Sequence, residues 1–78
     1  MNGALRPMAQ RIENARKVFI AVLVERGLST EDAEKAMNCL LRLKAAKLDP
    51  HIGRISVSHG FYLELDCLKR AVELESAS

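Results

Sequence analysis

The sequence predicts one α+β domain over residues 1–78, in the order α-α-β-β-α: two long antiparallel helices, one β-hairpin and a short C-terminal helix. Three observations predict it. An unbroken apolar run, residues 18–24, sits in a segment free of Gly and Pro from Met8 to Arg26. A helix-start signal, Ser29-Thr30-Glu31-Asp32, follows it closely. From Arg54 the apolar period changes from three-and-four to two.

The run Val18-Phe19-Ile20-Ala21-Val22-Leu23-Val24 must be largely covered in any fold. Its β-branched residues suit a strand, but its flanks favour a helix over residues 7–26. Pro7 stands where a first helical residue tolerates proline, and Gly27 stands where a left-handed residue ends a helix. At 100° per residue, Met8, Ile12, Ala15, Val18, Phe19, Val22 and Leu23 share one face. Ile20 and Val24 lie on the far side of that stripe. A helix apolar all round its last two turns is either central in its fold or shared with another chain.

The second helix is expected to start after Ser29, whose hydroxyl caps a free amide, and to run to about Lys47 before Asp49-Pro50. Its expected buried face is Ala33, Ala36, Met37, Leu40, Leu41, Leu43 and Leu48. Lys44 falls inside that face, so either the helix loosens there or the lysine lays its stem on the core. Residues 54–58 and 61–65 both alternate, and a three-residue loop of Ser58, His59 and Gly60 would keep Ile55, Val57, Phe61 and Leu63 on one side. A competing reading makes residues 61–75 one helix, because Phe61, Leu65, Leu68 and Val72 also have helical spacing. Otherwise Asp66 caps a last helix that ends near Glu75. The core is expected to centre on Phe19, Val22, Leu23, Met37, Leu40, Ile55, Phe61, Leu65, Leu68 and Val72. Residues 1–6 and 76–78 are expected to be disordered.

Composition limits the function classes. A chain of 78 residues, 49% hydrophobic but only 4% aromatic, forms one small aliphatic core. Two cysteines are too few for the disulfide framework of a small secreted domain, and the apolar run is too short to span a bilayer. Glu25-Arg26-Gly27 follows that run where a signal peptide would need small residues. A cytoplasmic protein without membrane attachment is expected.

Chemistry-bearing residues are sparse. Cys39, His51, His59 and Cys67 lack the close pairing of zinc ligands. A Cys67–His59 nucleophile pair would need the two brought together across the length of a strand. The four glycines are isolated, so there is no phosphate loop. Neither catalysis nor a cofactor is expected. The expected function is a small protein-interaction or accessory module that self-associates, or is held by a larger protein, through Ile20 and Val24. The alternative is a nucleic-acid-binding regulator. Helices followed by a hairpin resemble a winged-helix layout, and Arg42, Lys44, Lys47 and Arg54 would then follow a phosphate backbone. Against it, the expected hairpin tip carries no Arg or Lys, and too few aromatics are present for a stacking platform.

Overall fold

A computed structural model describes residues 6–58 and 63–77. It has the order α-α-β-β-α: α1 Arg6–Glu25, α2 Thr30–Arg42, β1 Ala46–Asp49, β2 Arg54–Val57 and α3 Leu65–Ala77. The three helices and the two-stranded antiparallel hairpin make a small mixed α+β domain.

All of residues 18–24 lie in α1, which is 20 residues and therefore about 30 Å long. Ala15, Phe19 and Leu23 form its buried face. The helix ends as the glycine signal implies. Gly27 has φ 121°, its N–H donates to Val24 O at 3.0 Å, and Leu28 N–H donates to Leu23 O at 3.4 Å. This pair of bonds closes the orphan carbonyls, and the buried side chains of Leu23 and Leu28 accompany them. Ser29 then caps α2, accepting from Asp32 N–H at 3.1 Å. Arg16 donates to Asn38 Oδ1 at 3.1 Å. These residues lie about equally far from the turn on either side, so the chain folds back on itself.

α2 ends at Arg42, not near Lys47. Leu43 is its C-cap, and Lys44 takes the left-handed conformation, φ 64°, that glycine takes after α1. Lys44 N–H donates to Leu41 O at 3.2 Å, and Ala45 N–H donates to Leu40 O at 2.9 Å, the same double closure. Thus the lysine that interrupts the apolar face marks the end of the helix. Of the residues after it, expected to continue the helix to about Lys47, Ala46 and Lys47 lie in β1 instead.

The hairpin therefore pairs residues 46–49 with 54–57, one strand earlier in the chain than the alternation suggests. Ala46 faces Val57 and Leu48 faces Ile55, so the apolar residues of both strands share the inner side. Asp49-Pro50 turns the chain rather than ending a helix. Asp49 Oδ1 accepts from His51 N–H at 2.9 Å and Ile52 N–H at 3.2 Å, Asp49 O accepts from Gly53 N–H at 2.8 Å, and Gly53 has φ 75°. Of the expected second strand, Phe61 and Tyr62 lie outside the described residues, as do His59 and Gly60. Leu63 and Glu64 form no strand, and Leu65 opens α3. Asp66 consequently lies in the first turn of that helix rather than capping it. Arg6, Ser76 and Ala77, expected in disordered ends, are helical; residues 1–5 and Ser78 lie outside the described residues.

The centre of the fold is α2, not α1. It packs against α1, α3 and β1, whereas α1 and α3 do not meet among the described residues. The largest fully buried side chains are Leu23, Met37, Leu68 and Cys39, and two of these four belong to α2. Among expected core residues, Phe19, Leu23, Met37, Leu40, Ile55 and Leu68 are buried. Leu65 and Val72 are half-buried, Phe61 lies outside the described residues, and Val22 is exposed.

Candidate interaction surfaces

The apolar stripe of α1 is wider than the face that the other described elements cover. Ala15, Phe19 and Leu23 fill its centre, packed against α2 and the hairpin. Its flanks remain at the surface. On one flank Val18 is 64% exposed and Val22 37% exposed, and both line a groove of about 340 Å³ with Ala15, Phe19, Gly53, Arg54 and Ile55. On the other flank Ile20 packs against the core while half-buried, and Val24 is 38% exposed. The structure thus separates Ile20, a partial core residue, from Val24, a surface one. The larger apolar opening is on the opposite flank. The sequence signal for it was the width of the stripe: at about 100° per residue, Val18 lies roughly 100° and Val22 roughly 60° from Phe19 on the helical wheel.

The hairpin forms the other wall of that groove. Arg11 ties its tip to α1, donating to His51 O at 3.3 Å, and a side chain at Gly53 would meet the Arg11 stem at 3.4 Å. Within the hairpin, Ser58 N–H donates to Ala45 O at 2.8 Å, which extends the strand register by one pair. Hydrogen-bonded and non-bonded pairs alternate in an antiparallel ladder. Lys47 with Ser56 and Asp49 with Arg54 are therefore the bonded pairs. The N–H and C=O groups of Ile55 and Val57 point away from β1, toward the outer edge of β2. Among the described residues none bonds to them there.

A second groove, about 490 Å³, runs between α2 and α3, with Leu40, Leu43, Cys67 and Leu74 in its lining. Leu43 is 55% exposed at its mouth. Both cysteines line it, Cys39 buried and Cys67 exposed, each as a free thiol. Arg42 and Glu75, next in sequence to the lining residues Leu43 and Leu74, form an ion pair between α2 and α3, with Arg42 Nη2 to Glu75 Oε1 at 2.9 Å. The hydrogen bond from Arg42 to Glu75, with the carboxylate charge, raises the guanidinium pKa above its ordinary value.

The basic residues expected to follow a nucleic acid do not form one group. Arg42 is occupied by Glu75 on the α3 side. Lys44 stands in the turn after α2. Lys47 and Arg54 share the outer face of the hairpin with Asp49 and Ser56. The exposed residues of α2 begin with Thr30, Glu31 and Glu34, an acidic surface unsuited to a phosphate backbone.

Among the described residues, no group of three His, Cys, Asp or Glu side chains is placed to hold a metal ion. His51 sits in the hairpin turn, and His59 lies outside the described residues. No described helix is long and apolar enough to cross a membrane. No family model matches the chain, and no curated protein or solved structure matches it either.

Proposed function

We propose that this chain is a non-enzymatic protein-interaction module that acts as a homo-oligomer, its contact built on the α1–hairpin groove. The observation that carries the reading is that exposed Val18 and Val22 line one groove with β2, whose outer edge bonds to no other strand among the described residues. Isolated surface valines are ordinary, but contiguous apolar surface beside unpaired main-chain groups favours association. The expected contact through Ile20 is displaced to Val18 and Val22, because Ile20 already packs on the protein's own core.

Sedimentation of the purified protein tests this, with Val18→Glu as the variant. Val18 is mostly in water, so a glutamate there leaves the monomer folded. The expected result is an oligomer for the parent chain and a folded monomer for the variant. A parent chain that is monomeric at high micromolar concentration would overturn the reading.

Lys47 and Arg54 support the second reading, nucleic-acid binding, because neither has an ion-pair partner among the described residues. Titration with random-sequence duplex at low salt decides it, since phosphate contacts are strongest there. Absence of binding under that condition ends this alternative.

A further inference from the structure

We infer that the partner at this groove is a second copy of the chain, joined edge to edge through β2 so that the two hairpins form one four-stranded antiparallel sheet. The inference deepens the proposed function and rests on it.

The two edges of the hairpin are not equivalent. β1 carries Lys47 in mid-strand and runs directly into Pro50, both features that discourage edge pairing. β2, with the sequence Arg-Ile-Ser-Val, contains no proline, no lysine and no inward-facing charge. Its outward N–H and C=O groups belong to Ile55, which is buried to 8% exposure, and to half-buried Val57. Such low exposure of the whole residue, beside main-chain groups that have no partner among the described residues, is costly unless those groups find partners. A two-stranded sheet is also marginal by itself, and added strands stabilise it.

The sequence of β2 is self-complementary in one register. With Ser56 on the two-fold axis, Ile55 lies opposite the partner's Val57, and Val57 opposite the partner's Ile55. Both are hydrogen-bonded pairs, so about four main-chain bonds form across the axis. Arg54 then lies opposite the partner's Ser58, which keeps like charges apart. Inner faces meet inner faces, as the period of two requires. The partner's Ile55 and Val57 come over the groove beside β2, where Val18 and Val22 stand uncovered.

The dyad residue provides the test. Ser56 is exposed on the outer face, and across the axis it occupies a non-hydrogen-bonded pair. The Cα atoms there are on the order of 4.5 Å apart, within disulfide range. Ser56→Cys in a Cys67→Ser background is expected to form a covalent dimer on mild oxidation. Lys47→Cys, one strand further from the axis, is expected to form none. Ser56→Asp, which gains Lys47 as a cross-strand neighbour within the monomer, is expected to weaken the dimer about fivefold, the effect of two like charges ~4 Å apart in water. A dimeric parent chain with no Ser56→Cys cross-link would overturn the edge pairing and leave self-association standing. A monomeric parent chain would overturn both.

Discussion

At the residue scale, two helix ends use the same backbone closure with different amino acids, and the difference is measurable. Gly27 adopts φ 121° without cost, whereas Lys44 holds φ 64° against the clash between its Cβ and backbone. Lys44→Gly is expected to raise unfolding free energy by about 0.5–1 kcal/mol, read as a higher urea midpoint with an unchanged slope. Its carbonyl, which accepts from Ser58 Oγ at 3.0 Å, survives the change. Gly27→Ala is expected to do the opposite, by on the order of 1–2 kcal/mol. The added Cβ would meet Leu65 Cδ1 at 3.3 Å in a backbone region alanine avoids. If Lys44→Gly lowered the midpoint, the left-handed lysine would have to contribute something its conformation alone does not suggest. These two positions also show how uneven the sequence signal is. Gly27 announces a stop, while Lys44 marks one only by being a charge at a position the helical pattern assigns to the core.

At the element scale, the hairpin depends on its turn. Asp49 satisfies two loop amides at once, so Asp49→Ala is expected to cost about 1 kcal/mol, with Asp49→Asn restoring most of it. Thermal unfolding of the three proteins checks this, and equal stabilities would remove the turn from the account. The alternation over residues 54–57 was legible because Ile55 and Val57 face inward and Arg54 and Ser56 outward. Its partner was not. Ala46, Lys47 and Leu48 prefer helices intrinsically, and only pairing with β2 over the cores of α1 and α2 draws them into a strand. An Asp-Pro turn followed by a glycine, placed between two short apolar alternations, was the available clue. As a turn signal it is ambiguous, because a proline also ends helices.

At the scale of the whole molecule, α2 stands between α1 with the hairpin on one side and α3 on the other; among the described residues α1 and α3 make no close backbone contact, and Leu65 reaches only the Gly27 turn that follows α1. α3 is held by Leu68 and Ala71 in the core, with Arg42–Glu75 and Lys35–Ser76 at its rim. An element with a single packing neighbour opens at lower free energy than its surroundings. Native-state hydrogen exchange is therefore expected to show weaker amide protection in α3 than around Phe19 in α1 or Met37 in α2. Uniform protection would mean that the three helices unfold as one unit. The same arrangement leaves the outer flank of α1 uncovered, which is why the candidate contact lies on the hairpin side and not over α3.

Local chemistry by itself determined the helical state of residues 18–24, the Gly27 stop and the Ser29 cap, because each depends on backbone geometry and neighbours within a few residues. The pairing partner of β2, the end of α2 and the split of the α1 stripe into buried Phe19 and exposed Val18 were decided only by the tertiary structure. Each depends on which distant segment arrives to compete for the same main-chain bonds or the same apolar surface, and spacing along the chain carries no term for that competition.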